Sequence, residues 1–174
     1  DYLPGVYYDL DSSNSGHFGH LTTEVLSRFW GWDEAKKQYP DLKALFRIRT
    51  PGERDPKLER TLFEAYGIAE QDIVWSPVPV QVDTLVAATP MWHNQFPHYA
   101  DLEIRETWAR MRDHLVDPEG PKYDRLFVSR RPSFANRQCH NTPELEQLFK
   151  AEGFTVIYPE DYSLAVQASI FANA

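Results

Sequence analysis

The stretch from Tyr123 to Glu160 constrains this chain more than any other. Tyr123-Asp124-Arg125-Leu126-Phe127-Val128 reads as a strand, and the chain then turns polar at Ser129-Arg130-Arg131-Pro132, with a further arginine at Arg137. A helix start follows at Asn141-Thr142-Pro143-Glu144. Leu145, Leu148 and Phe149 recur at helical spacing, and Gly153 ends the helix. Phe154-Thr155-Val156-Ile157-Tyr158 is a second apolar run, closed by Pro159-Glu160. Strand, basic loop, helix and strand in this order predict a parallel βαβ unit. The loop between its first strand and its helix then sits at the carboxyl edge of the sheet, where open α/β sheets bind their ligands.

Arg130, Arg131 and Arg137 in such a loop make a candidate anion cradle. Guanidinium groups grip phosphate in a bidentate fork and keep their charge at any working pH. The helix N-terminus after Asn141 adds N–H donors and partial positive charge. The alternative is a solvated basic loop, with Arg130 or Arg131 paired to a carboxylate. Neither of the two common glycine-rich phosphate loops is present, so side chains must hold any phosphate.

A chain of 174 residues has room for one domain or two small lobes. Its 18 Lys and Arg against 26 Asp and Glu leave a net charge of −8, which argues against nucleic acid as the main partner. Cys139 is the single cysteine, so no internal disulfide can form and a reducing compartment fits. No run approaches the ~20 apolar residues of a membrane span, and no signal-peptide pattern is visible. The chain opens at Asp1 rather than Met and stops within a helical pattern at Phe171-Ala172-Asn173-Ala174, so a longer parent protein is expected.

Residues 1–19 read as an extended lead-in and a loop, and a helix is predicted from His20 to Trp32. Leu21, Val25, Phe29 and Trp32 form its apolar stripe; His20, Glu24 and Arg28 form a polar stripe beside it. Strand-like runs follow at residues 44–48, 72–75 and 80–88, with a helix through Leu58, Leu62, Phe63 and Tyr66 ended by Gly67. Pro77 and Pro79 confine their neighbourhood to edges and turns. A loop rich in histidine and aromatics occupies residues 89–100, and such loops either line sites for sugars and other amphipathic ligands or connect lobes. A helix over residues 102–116 has Ile104, Trp108, Met111 and Leu115 as its buried face. A last helix, capped by Ser163, carries Leu164, Ala168 and Phe171. The alternation argues for an α/β fold with parallel pairing.

His20 and Glu24 lie one helical turn apart and can point into one cleft. A carboxylate there can act as a general base. The alternative is an ion pair between Glu24 and Arg28, with His20 merely capping the helix. A metal would need three or four converging ligands drawn from His17, His20, His93 and His98. No metal site is expected. A Gly-x-Ser-x-Gly nucleophile elbow is absent.

Taken together, these segments resemble glycosyltransferase family 61, of the bacterial capsular polysaccharide biosynthesis type. Gly19-His20-Leu21-Thr22-Thr23-Glu24-Val25-Leu26-Ser27-Arg28 is similar to the family's His-x-x-x-Asp/Glu helix. Ser129-Arg130-Arg131, Arg137, Asn141, Gly153-Phe154 and Pro159-Glu160 follow its second block in order. The likeness spans residues 14–174. The chain departs from it at Val166-Gln167, where the family often has Glu-Gln, and it stops before a Gly-Pro-His-Gly-like strand and loop.

The resemblance implies two Rossmann-like lobes of GT-B type: residues 1–100 on the acceptor side and residues 101–174 as the start of a truncated nucleotide-sugar lobe. It implies transfer of a sugar from a nucleotide-sugar donor to a glycan or other hydroxyl acceptor, inverting and metal-independent, in capsular or extracellular polysaccharide biosynthesis. Glu24 with His20 would be catalytic; Ser129, Arg130, Arg131, Arg137 and Asn141 would bind the donor. No cofactor is expected beyond the donor substrate itself, and neither nucleic acid nor a transmembrane segment. The expected location is the cytoplasm, including the inner face of the membrane. The alternative function is a non-catalytic nucleotide-sugar or glycan-binding module.

Overall fold

The computed structural model describes residues 1–12, 16–48, 56–132 and 139–174. Strand β1 (Tyr2–Asp9) lies between β2 (Lys43–Arg47) and β4 (Gln81–Val86), and β3 (Ile73–Ser76) closes the far edge, in the order β3-β2-β1-β4. All three pairings are parallel. The sequence reading left β1 as an extended lead-in, yet it is an interior strand. Its periodicity is hidden by a register shift between Leu3 and Val6, where Gly5 takes a positive φ of 112° and its N–H donates to Asp83 at 2.7 Å. The chain after β1 pairs to one side through β2, while β4 lies on the other. The carboxyl ends of β1 and β4 therefore form a topological switch point.

A composite helical run joins β1 to β2. It consists of α1 (Phe18–His20), a π turn (Leu21–Val25), a 3₁₀ stretch (Leu26–Gly31) and α2 (Trp32–Gln38). The predicted stripe of Leu21, Val25, Phe29 and Trp32 is buried throughout. Phe29 meets Phe63 at 5.2 Å and Tyr66 at 5.0 Å, both on α3 (Lys57–Tyr66), which Gly67 ends. Phe63 in turn meets Phe46 of β2 edge-on at 5.4 Å and stacks on Trp75 of β3 at 5.7 Å. This cluster locks the run and α3 to the sheet, each buried ring contributing about 1.5–3 kcal/mol of transfer free energy. Gly31 sets how closely the run approaches. A Cβ there would lie 2.6 Å from the Tyr8 hydroxyl and 2.9 Å from the Ala88 Cβ.

Beyond β4 come the short antiparallel pair β5 (Trp92–His93) and β6 (Tyr99–Ala100), then α4 (Ile104–Leu115). The chain divides into two compact units, Asp1–His114 and Leu115–Ala174. The sequence reading drew the boundary at residue 100 and put α4 in the second lobe. The helix stays with the first unit for a physical reason. Trp108 Nε1 donates to Thr22 O at 3.0 Å, Arg110 pairs with Asp33, and the Arg110 guanidinium sits 4.0 Å over the Tyr66 ring. Trp108, expected on the buried face, is left partly exposed by that arrangement, while Ile104, Thr107 and Met111 are buried.

In the second unit, β7 (Leu126–Val128) pairs in parallel with β8 (Thr155–Ile157), with α5 (Thr142–Ala151) between them in sequence. Phe149 of α5 stacks on Phe127 at 4.1 Å and meets Phe154 edge-on at 5.1 Å. The strand–loop–helix–strand pattern is thus a parallel βαβ unit. The last helix, α6 (Leu164–Ala172), is capped by the Ser163 side chain as expected; it buries Ser169 and Ile170 and leaves Phe171 exposed. The fold is mixed α/β with parallel sheets. Among the described residues no helix is long and apolar enough to cross a membrane.

Phe63 is the centre of the first unit's aromatic cluster. Phe63→Ala should destabilise the protein by about 3–5 kcal/mol, from lost transfer free energy and the cavity left behind. Urea unfolding measures it, and a loss under about 1 kcal/mol would show that the cluster repacks without that ring.

Candidate functional site

The residues past the carboxyl ends of β1 and β4 line a cavity of about 650 Å³, which His20 and Glu24 enter from the composite run. The π turn spans Glu24, and the Leu26 N–H reaches back to Leu21 O across it. Such turns recur at functional sites because the extra residue per turn re-aims side chains. Here His20 Nδ1 lies 2.8 Å from Glu24 Oε1. Asn94, 70 residues further along, donates its Nδ2 to the same oxygen at 2.8 Å, and its own Oδ1 accepts from Trp92 Nε1 at 2.6 Å.

Arg28, the other candidate partner for Glu24, is engaged elsewhere. It donates to Asp9 Oδ2 at 3.1 Å and to Asp11 O at 2.6 Å, and so ties the composite run to the end of β1. Glu24 is therefore left to His20 and Asn94. Burial pushes the Glu24 carboxyl up. The hydrogen bonds from His20 and Asn94, with the nearby charges of His20 and His93, outweigh this and hold it below the usual carboxylate range. A carboxylate oxygen accepts hydrogen bonds, so a proton on Nδ1 satisfies this contact, which fixes the orientation of the His20 ring.

His93 also lines this cavity, with Nδ1 held by Gln95 O at 2.8 Å; His98 is not among the lining residues. His17 touches His20 ring to ring at 4.7 Å. Among the described residues no three His, Cys, Asp or Glu side chains converge as a metal site.

The second unit holds its own cavity, about 760 Å³, at the carboxyl end of β7 and the first turn of α5. Ser129, Arg130 and Arg131 line it, as do Glu146 and Tyr158. Ser129 is buried and donates to Glu146 Oε1 at 2.5 Å; the Tyr158 hydroxyl donates to the same oxygen at 2.8 Å. Those two bonds, first Ser129 and then Tyr158, hold the Glu146 carboxyl below its usual range. Arg131 lies 3.7 Å over the Tyr158 ring, and its fork is paired with both carboxylate oxygens of Asp161. Its backbone N–H donates to Glu160. This is the carboxylate-paired arrangement that the sequence left open as the alternative for this loop. Asn141 stands at the N-cap of α5 with no side-chain capping bond; its Oδ1 accepts from Cys139 Sγ at 2.9 Å, and it is not among the lining residues. Arg137 lies outside the described residues.

Sequence reasoning missed Asn94, Glu146, Tyr158 and Asp161. Asn94 stood inside the aromatic loop already singled out, but nothing in its spacing points across to Glu24. Glu146 lies on α5, where it accepts from Ser129 and Tyr158, and nothing in its spacing points to either partner.

The Glycosyltransferase 61 family matches residues 18–174, and the chain belongs to that family. No curated protein and no solved structure matches it. The match takes in the His20–Glu24 run and the Ser129–Arg131 loop together. A glycosyltransferase family implies a sugar donor and an acceptor.

The lowered Glu24 carboxyl has a consequence for stability. A carboxylate whose folded pKa is depressed stabilises the fold above its unfolded pKa, and that contribution is lost as pH falls through the folded value. Urea unfolding between neutral pH and the acid range should therefore show a shallower loss of stability for Glu24→Gln than for the wild type. Asn94→Ala, which removes one of the two donors, should raise the Glu24 titration midpoint in a carboxyl ¹³C NMR experiment. An unchanged midpoint would mean that the Asn94 bond is not formed in solution.

Proposed function

We propose that this chain transfers a sugar from a nucleotide-sugar donor to a hydroxyl of a glycan acceptor, with inversion and without a metal. Capsular or extracellular polysaccharide synthesis, in the cytoplasm or at the inner face of the membrane, is the setting this reading favours. The observation that carries it is the His20–Glu24–Asn94 constellation at the β1/β4 switch point of a family 61 chain. In this reading the two α/β units are lobes of GT-B type, with deprotonation of the acceptor in the first and leaving-group binding in the second.

The chemistry is a single displacement. The acceptor O–H gives its proton to His20 Nε2, while Glu24 stabilises the imidazolium that forms. The acceptor oxygen bonds to the anomeric carbon as the bond from that carbon to the phosphate oxygen breaks. The nucleoside diphosphate leaves with the electron pair. Sequence spacing pointed to Glu24 itself as the base. The lowered carboxyl and its two hydrogen bonds to one oxygen favour His20, with Glu24 holding it in place. Developing charge on the leaving group calls for cationic donors, which arginine can supply. Arg130 lines the second unit's cavity. Arg131 lines it too, and would have to exchange Asp161 for phosphate.

Transfer should be measured with a panel of nucleotide sugars and glycan acceptors. His20→Ala and Glu24→Gln should each lower it by ~100-fold or more, with donor affinity nearly unchanged. Arg130→Ala should weaken nucleoside diphosphate binding by roughly 1.5–3 kcal/mol, as for a lost charged hydrogen bond. Full transfer by both dyad variants would overturn the assignment. A wild-type chain that binds donor but transfers nothing would support the binding-module reading instead.

A further inference from the structure

A second cavity of the first unit, about 700 Å³, is lined by Trp30, Thr89, Pro90, Tyr99, Asp101 and Glu103 among others. Its two rings are pinned by their own polar atoms. Trp30 Nε1 donates to Thr89 O at 2.9 Å, and the Tyr99 hydroxyl donates to Pro90 O at 3.0 Å. Their hydrogen-bonding handles are thus spent on backbone, and what they offer the cavity is carbon surface. Trp30 is 47% exposed and Tyr99 is 46% exposed. Rigid, half-exposed rings of this kind bind at a low entropic cost, because no rotamer has to be frozen.

The cavity adjoins the His20–Glu24 site. Pro90 lines both. His93, which lines the dyad's cavity, is the direct cross-strand partner of Tyr99, and the two rings stack at 5.5 Å. One stacked ring pair therefore stands between the two. The polar groups of the second cavity are acidic. Asp101 and Glu103 line it, and among the described residues no Lys or Arg does. Asp101 Oδ1 accepts the Glu103 N–H at 3.0 Å, which holds the first turn before α4 and with it the Asp101 carboxylate.

We propose that this cavity is an acceptor subsite, binding a neutral or amino-sugar residue of the glycan adjacent to the one whose hydroxyl reacts; this rests on the transferase reading above. A pyranose has a C–H face that packs on indole or phenol and equatorial hydroxyls that donate to carboxylates, and the cavity supplies both partners. The two carboxylates repel uronic acid or phosphate-bearing residues, so the subsite selects against anionic glycans.

The test is binding, read without turnover. The intact chain is titrated with cellotetraose, maltotetraose, chitotetraose and tetragalacturonate, followed by tryptophan fluorescence and ligand-observed NMR. At least one neutral tetrasaccharide should bind, and tetragalacturonate should not. Trp30→Ala and Tyr99→Ala should each weaken that binding about tenfold or more, the loss of one ring contact, while Trp30→Phe keeps most of it. Urea unfolding of each variant separates a lost contact from a lost fold, and Tyr99→Leu serves if Tyr99→Ala does not fold. The proposal is overturned if no neutral tetrasaccharide binds, if both alanine variants bind as the wild type does, or if tetragalacturonate binds best. Binding that depends on Trp30 in a chain without transfer would sink the transferase reading and leave the subsite as a glycan site. Transfer with binding indifferent to Trp30 and Tyr99 would do the reverse.

Discussion

Phe29 seated against Phe63 is the contact on which the geometry of the first unit depends. A helical run can rotate about its axis unless one face is bound to something. The ring of Phe29, buried with Leu21, Val25 and Trp32, binds this one to α3 and the sheet. Once that stripe is fixed, the neighbouring stripe of His20, Glu24 and Arg28 has a direction. Gly31 allows the run to come within contact of Tyr8 and Ala88, so the direction ends at β1 and the chain leaving β4. The π turn then adds a local correction that sequence periodicity of 3.6 does not contain.

Charge is sorted by the same packing. The chain is acidic overall, and several of its described arginines are held by carboxylates. Arg28 and Arg47 hold Asp9 and Asp11 at the end of β1, and Arg131 takes Asp161 in the second unit. The commitment of Arg28 matters most for chemistry. Were it to fold back by one turn onto Glu24, the carboxylate would be neutralised on the surface and His20 would lose its partner. Asp9 competes successfully because β1 presents it beside the run, with the Asp11 carbonyl adding a second acceptor. In the second unit the corresponding choice goes the other way. Asp161 occupies the fork of Arg131, so any anion held by that guanidinium would first have to displace a carboxylate.

A site of this kind links two parts of the chain far apart in sequence. Asn94 reaches Glu24 across 70 residues, and its own carbonyl oxygen is held by Trp92. His93 and Tyr99, paired across a two-residue strand ladder, put a ring pair between the dyad's cavity and the aromatic one. On the proposed function, catalytic position and acceptor recognition are coupled through this one small hairpin.

By itself the sequence determined the α/β class, the buried stripe of the composite run, α3 with its stop at Gly67, and the parallel βαβ unit around the arginine loop. Each of these rests on local periodicity and turn chemistry, which are properties of neighbouring residues. The pairing of His20 with Glu24 was legible for the same reason, since both lie on one face one turn apart. The interior position of β1 was not, because the Gly5 bulge breaks the alternation that marks a strand. The allegiance of α4 was decided by Trp108 and Arg110 finding Thr22, Asp33 and Tyr66, none of them near in sequence. Which carboxylate Arg131 meets, and which asparagine reaches Glu24, only the tertiary structure decided. Charges and hydrogen-bond donors choose partners by distance in space, and that distance exists only after the core has packed.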